Sequence, residues 1–424
     1  MKKWMSLLLA AAMTMSLLAG CAGSNAGSAD STDATAGTET TETTENTESA
    51  DTETADTAAA SGETFKIGGI GPVTGGAAVY GLAVKNAAEM AVEEINAAGG
   101  INGYQVEFKF EDDVHDAEKS VNAYNTLKDW GMQMLMGTVT STPCQAVVEE
   151  THNDNMFQLT PSGSAVESIK YDNAFRVCFS DPNQGAASAQ YIGENGLASK
   201  VAVIYNSSDV YSSGIYEKFS AEAANQPFEV VSAEAFTDDS KTDFTVQLQK
   251  AKDAGADLVF LPIYYQEASL ILQQAASMDF APKFFGCDGL DGLISVENFD
   301  LNLAQGVMLL TPFAADAQDD MTKTFVSNFE AKYGETPIQF AADAYDALYI
   351  IKAAAEKANI TPDMSVSEIG DAMKAAMTEI TVDGLTGTGM TWDAEGEPTK
   401  APKAVVIEVT AADDGTLTGA YKAM

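Results

Sequence analysis

Two short loops rich in hydroxyls carry the most chemistry in this chain. The first is Gly137-Thr138-Val139-Thr140-Ser141-Thr142-Pro143. Its hydroxyls crowd in front of a proline, and proline favours the first position of a helix. Free backbone N–H groups at a helix start, with short hydroxyls beside them, make a site for a carboxylate. One helix cap does not need four hydroxyls, so Ser141 and its neighbours read as ligand-binding as well as capping. The second loop is Thr160-Pro161-Ser162-Gly163-Ser164. It follows a strand in the same half of the chain, so the two loops can be neighbours. Ser164 could donate to the same carboxylate, and carbonyls near Ser162 and Gly163 could accept from an ammonium. Further on stand Tyr211, Tyr264 and Asp288, each just past an apolar run, and Tyr80 stands at the entrance of an early helix. Asp288 lies in Gly286-Cys287-Asp288-Gly289, where a carboxylate can face a cleft and pair with an ammonium. A turn residue bonding its own backbone is the plainer reading of Asp288.

Other chemistries find no support. Gly69, Gly71 and Thr74 fail the dinucleotide fingerprint, because Thr74 replaces its third glycine and Pro72 removes a donor that a pyrophosphate would need. No Gly-x-Ser-x-Gly elbow, His-Glu-x-x-His or phosphate loop ending in Gly-Lys-Ser/Thr is present. The two histidines, His115 and His152, lie outside the loops above and show no metal-ligand spacing. The reading is therefore of a binding protein: no catalysis, no cofactor and no metal.

The elements that must position these loops alternate apolar strands with amphipathic helices. In the first half, strands are expected at Phe65–Gly71, Gln105–Phe110, Met132–Met136 and Phe157–Thr160, with helices at Tyr80–Ala98, from the cap Asp116 to Trp130, and at Pro143–Asn155. After Arg176 the rhythm restarts. Helices are expected at Asn183–Asn195, Ser212–Ala224, Phe244–Ala254 and Glu267–Met278, and strands at Lys200–Tyr205, Glu229–Phe236, Asp257–Ile263 and Lys283–Gly286. Continuous apolar strands between helices imply parallel sheets covered on both faces. Two such series give an α/β protein of two doubly wound lobes, with the ligand beyond the carboxyl ends of the strands.

The amino terminus is of a different kind. Lys2 and Lys3, the apolar run Leu7–Leu18 and then Leu18-Ala19-Gly20-Cys21 form a secretory signal over residues 1–21. It resembles a bacterial lipoprotein signal, which implies lipid on Cys21. Residues 22–64 contain ten acids, no base and no large apolar residue, and are expected to be a disordered spacer. The formal net charge is −39, of which the spacer acids and the two lysines account for −8, leaving −31 on the remainder. A polyanion of that size is a poor nucleic-acid binder. Besides Cys21 there are Cys144, Cys178 and Cys287, an odd number best read as small apolar fillers.

The ordered series Ile70-Gly71-Pro72-Val73-Thr74-Gly75, Ala97-Ala98-Gly99-Gly100-Ile101-Asn102-Gly103, Glu111-Asp112-Asp113, Thr160-Pro161-Ser162, Asp243-Phe244, Thr391-Trp392-Asp393 and Gly396-Glu397 resembles the leucine/isoleucine/valine-type substrate-binding proteins of ATP-binding cassette transporters. The resemblance covers nearly all of residues 65–410. It implies the periplasmic binding protein type I fold, with lobe 1 formed by 65–181 plus 312–395, lobe 2 by 182–311 plus 396–424, and a hinge of three crossovers. It implies an aliphatic amino acid between the lobes, a membrane permease as partner, a monomer, and a location on the outer face of the cell membrane, lipid-anchored, in a Gram-positive cell. It places Ser141 and Ser164 on the ligand carboxylate with help from the backbone at Ser162 and Gly163. It places Asp288 on the ammonium, with Tyr80, Tyr211, Tyr264 and Phe340 lining the cleft. Two departures stand out: His115 and Thr140 occupy positions where Gram-negative members often carry a disulfide, and Asp288 replaces a longer Glu. The same fold binding an amide, urea or another small polar solute, or feeding a membrane sensor, remains the alternative.

Overall fold

A computed structural model describes residues 62–424. The signal segment with Cys21, and residues 22–61 of the spacer, lie outside the described residues.

The first sheet is built from β1 (Thr64–Gly71), β2 (Gln105–Asp112), β3 (Met134–Gly137), β4 (Phe157–Thr160) and β5 (Ala174–Arg176), in the spatial order β2-β1-β3-β4-β5. Every pairing in it is parallel. The strands β3 and β4 are buried at every position, which is why they read as apolar runs with no alternation. The helices α1 (Ala78–Ala97), α2 (Ala117–Trp130) and α3 (Ser141–Asp154) connect them. The cap expected at Asp116 is formed: its side chain accepts from the Lys119 N–H, and Gly131 closes α2 in the left-handed region at φ 93°.

The second sheet contains β6 (Lys200–Asn206), β7 (Glu229–Phe236), β8 (Leu258–Leu261), β9 (Lys283–Gly286), β10 (Met308–Thr311), β11 (Lys403–Ala411) and β12 (Leu417–Ala423). Its order is β12-β11-β10-β9-β8-β6-β7. The strands β6 to β10 pair in parallel, whereas β11 and β12 add an antiparallel edge. That edge is a departure from the all-parallel expectation. An antiparallel pair needs only the short turn between residues 411 and 417, not a crossover helix. The helices α4 (Asp181–Glu194), α5 (Val210–Ala223), α6 (Thr245–Asp253) and α7 (Tyr265–Ser277) belong to this part of the chain.

Between β10 and β11 the chain forms α8 (Asp320–Tyr333), α9 (Gln339–Ala358) and α10 (Val366–Met377). Of these, α9 packs on α1, and α10 packs on α9 and β4, so this stretch returns to the first sheet. The chain thus passes between the sheets three times: between β5 and α4, between β10 and α8, and ahead of β11. Two doubly wound α/β sheets joined in this way match the fold expected from the sequence. Cys144, Cys178 and Cys287 are all buried and unpaired.

Candidate functional site

Each candidate loop leaves the carboxyl end of a strand. Tyr80 is in α1 after β1, Ser141 follows β3, and Ser162 to Ser164 follow β4; Tyr211 follows β6, Tyr264 follows β8, and Asp288 follows β9. These ends converge on one small cavity, lined by Tyr80, Val139, Thr140, Ser141, Ser162, Ser164, Tyr211, Tyr264, Asp288, Gly289 and Phe340. Eight of the nine expected residues, Phe340 among them, therefore meet. Gly163 does not line the cavity: its N–H donates to Thr160 Oγ1 at 2.7 Å and its carbonyl accepts from Arg176 at 3.2 Å.

The first-sheet wall is made by the two hydroxyl loops, which are stitched together. Thr160 Oγ1 donates to the Thr138 carbonyl at 2.6 Å, and Ser162 Oγ donates to the Val139 carbonyl at 2.6 Å. Several of the clustered hydroxyls thus brace backbone. The helix α3 begins two residues before the expected Pro143, with Thr140 as its N-cap residue and no side-chain cap bond. Pro143 is consequently the third helical residue, not the first. The N–H groups of Ser141 and Thr142 head the helix without a side-chain cap, which leaves the positive end of its dipole for an anion. Ser141 Oγ accepts from Ala165 N–H at 3.2 Å, so its proton remains free to donate.

The second-sheet wall is acidic and phenolic. Tyr211 donates to Asp288 Oδ1 at 2.7 Å and accepts from Gly289 N–H at 2.9 Å. Gln184 Oε1 accepts from Asp288 N–H at 3.1 Å. A Cβ on Gly289 would lie 2.6 Å from the Tyr211 hydroxyl, so only glycine lets the loop pass this close. Burial pushes the Asp288 carboxyl up to about 7, against hydrogen bonds from Tyr211 and Gln184 that favour the ionised form. Asp288 is only 3% exposed. Ionisation there calls for a cation at close range. The phenols of Tyr80, Tyr211 and Tyr264 are also held well above their ordinary range by burial, and so stay neutral donors.

The two walls are closed on each other. Tyr80 donates to the Gly289 carbonyl and accepts from Tyr265 N–H at 3.2 Å, while Tyr265 accepts from Val79 N–H at 3.3 Å. The rings of Tyr80 and Phe340 stack at 4.2 Å, and those of Tyr211 and Tyr264 at 4.8 Å.

Sequence reasoning missed His115. It lies outside the loops in sequence, yet its Nδ1 is 2.8 Å from Thr140 Oγ1 and its ring meets Tyr264 edge-on at 5.5 Å. It lines a larger open recess outside the cavity, together with Lys119, Asp209, Lys241 and Glu267. Burial and then Lys241 lower its pKa. The only signal was its pairing with Thr140 in the family resemblance. Asp181 was missed as well. It opens α4, its N–H donates to the Ser164 carbonyl at 2.9 Å, and burial holds its carboxyl far above the usual range, with the Ser164 hydroxyl pulling the other way.

The sequence profile described as "Periplasmic binding protein" matches residues 64–415, which is most of the chain. The chain belongs to this family. Among its relatives, the leucine-, isoleucine-, valine-, threonine- and alanine-binding protein of Pseudomonas aeruginosa is 30% identical over 308 residues, covering 72% of this chain and 82% of that one. The Leu/Ile/Val-binding protein of Escherichia coli is 26% identical over 80% of this chain and 89% of its own length. Among solved structures, the branched-chain amino acid transporter substrate-binding protein LivJ of Streptococcus pneumoniae, in complex with isoleucine, superposes with a TM-score of 0.73. It is 27% identical and covers 85% of this chain and all of its own. A solute-binding protein of Rhodopseudomonas palustris in complex with 3,4-dihydroxybenzoic acid has the same TM-score at 20% identity, a likeness of fold alone. Members of this periplasmic binding protein family are substrate-binding proteins, and homologues of this chain bind branched-chain amino acids for ATP-binding cassette transporters. Among the described residues, no helix is long and apolar enough to cross a membrane.

Proposed function

We propose that this periplasmic binding protein captures a small aliphatic amino acid in the cavity between its two sheets and delivers it to an ATP-binding cassette permease. One observation carries the reading: the cavity sets an uncapped helix start and the Ser141 hydroxyl, whose proton is free, opposite a buried carboxyl. A zwitterion complements both. Its carboxylate meets Ser141, Ser164 and the α3 terminus, and its ammonium meets Asp288. Val139, Phe340 and Tyr80 supply the surface for an aliphatic side chain. A micromolar receptor needs about 8 kcal/mol in total, which a few charge-assisted hydrogen bonds and one buried aliphatic group supply. The relatives named for leucine, isoleucine and valine support the same ligand class.

The lobes are taken as 65–181 plus 312–395 and 182–311 plus 396–424, acting in a monomer without catalysis. The Leu18-Ala19-Gly20-Cys21 sequence supports lipid on Cys21 and tethering to the outer face of the membrane of a Gram-positive cell. A tether of this kind raises the concentration of the receptor at its permease.

A thermal-shift screen against the common amino acids, leucinamide and urea tests the reading. A ligand at 100 times its Kd stabilises by about 2.7 kcal/mol. Leucine, isoleucine or valine should raise the melting temperature and urea should not. A shift only with the amide or urea, or with none of the set, contradicts the proposal.

A further inference from the structure

Of the sequence markers, the Thr391-Trp392-Asp393 to Gly396-Glu397 stretch has no part in the cavity. It forms the turn ahead of β11, where the chain makes its third passage between the sheets. This turn is built against one residue, Arg176, through both its backbone and its side chain. Trp392 Nε1 donates to the Arg176 carbonyl at 2.8 Å, and Arg176 N–H donates to the Gly396 carbonyl at 3.2 Å. Gly396 has φ +84°, and a Cβ there would sit 2.4 Å from the Ala174 carbonyl oxygen, so the turn lies flat on the end of β5. Asp393 Oδ1 accepts from Glu397 N–H at 2.9 Å and so fixes the residue whose carboxylate reaches Arg176 Nη2 at 3.2 Å.

Arg176 itself is 0% exposed. Its Nη1 donates to the carbonyls of Gly163 and Ser164, in the loop that supplies Ser162 and Ser164 to the cavity. In a trans peptide the C=O and N–H point in opposite directions. Drawing those two oxygens toward the guanidinium turns the Ser164 and Ala165 N–H groups the other way. Ala165 N–H donates to Ser141 Oγ at 3.2 Å, which leaves the Ser141 proton for a ligand. By the same rule Ser164 N–H points away from the guanidinium that its peptide's carbonyl faces. A full positive charge behind both peptides also polarises them as donors.

We propose that Arg176 is a positioning residue for the ligand carboxylate: ion-paired with Glu397 on the hinge turn, it sets the two peptides that orient the Ser164 and Ser141 donors. The proposal rests on the reading of the cavity as an amino-acid site, but its geometric half holds for any ligand. The loop that holds the carboxylate is thereby connected to a hinge segment that must bend when the lobes open.

Two variants of the mature chain test it, Arg176→Lys and Glu397→Gln. A lysine cannot span two carbonyls and a carboxylate as a planar fork does. The first measurement is hydrogen–deuterium exchange over residues 160–166 without ligand. The second is calorimetric affinity for L-leucine and for L-leucinamide, which lacks the carboxylate. Both variants should speed exchange in this segment at least fivefold and leave β6 to β9 unchanged. Both should weaken L-leucine tenfold or more while weakening leucinamide less than threefold. A destabilised fold would lower both affinities together. Unchanged exchange overturns the proposal whatever the protein binds, as does a leucine-to-leucinamide ratio equal to that of the parent. Absence of leucine binding in the parent overturns the amino-acid reading, and the exchange result then still decides the role of Arg176. If Arg176→Lys fails to fold, Glu397→Gln, at a side chain 32% exposed, gives both results alone.

Discussion

The two walls of the cavity are made by the same kind of element, a loop leaving a parallel strand, but they are built from opposite chemistry. The first-sheet wall presents Ser141, Ser162, Ser164, the neutral phenol of Tyr80 and an uncapped helix start, with no acidic or basic side chain lining the cavity. The second-sheet wall presents Asp288 between two phenols, with Asp181 and Asp209 buried nearby. A helix start and hydroxyls need no counter-ion and can be ready before a ligand arrives. A buried carboxyl is costly until a cation reaches it. The first wall therefore suits the initial grip on a carboxylate. The second favours closure only around a ligand that brings an ammonium, because the closed state is selected by contacts that exist only there.

The largest expected effect comes from breaking the acidic wall. Asp288→Asn removes the proposed partner of the ammonium and should weaken binding of L-isoleucine about 100-fold by calorimetry, in the range of a lost charged hydrogen bond in a buried site. Breaking the neutral wall should cost less. Ser141→Ala is expected to weaken the same ligand about tenfold, the value of one hydrogen bond to a charged group.

pH separates the walls further. The Asp288 carboxyl sits at about 7 without ligand, and an ammonium requires it ionised, so binding releases a proton below that value. Affinity should fall on the order of tenfold between pH 8 and pH 5.5, and Asp288→Asn should flatten the profile. Stability of the ligand-free protein should move the opposite way. Asp113, Asp209, Asp288 and Asp291 are raised by burial to about 7 and Asp343 to about 6. The folded state then binds more protons than the unfolded one between the ordinary aspartate range and pH 7, so stability rises as pH falls through that window. The melting temperature should climb by roughly 5 °C from pH 8 to pH 5, which scanning calorimetry can read. The smallest effect is on closure itself. Tyr265→Phe removes one acceptor for Val79 N–H and should weaken binding about threefold.

The sequence was legible where one local pattern decides the outcome. Apolar runs such as Lys200–Asn206 and the short strands of the first sheet are buried on both faces and read as strands directly. Ser141, Ser164 and Asp288 stood out because each is a polar residue just past such a strand, and all three line the cavity. What stayed hidden depends on distant chain. Arg176 looks like a strand end until Gly396 and Glu397, some 220 residues away, close over it. His115 is delivered by Val114 and His115 both adopting positive φ, of 53° and 59°, and neither residue type advertises that conformation. The α3 start moved from Pro143 to Ser141 because proline is tolerated throughout a first helical turn, where its missing N–H has no intrahelical partner to lose. The antiparallel edge is half exposed, and β12 lacks the apolar run that marked the other strands, though β11 carries one at Ala404–Ile407.

Calorimetric titration with L-leucine and with 4-methylpentanoate, the same skeleton without its ammonium, tests the division between the walls most directly. The account predicts that leucine binds and that the deaminated acid binds at least 100-fold more weakly at pH 8, with the gap collapsing in Asp288→Asn. Equal affinity for the two in the parent protein would contradict it, because the buried carboxyl would then have no part in choosing the ligand.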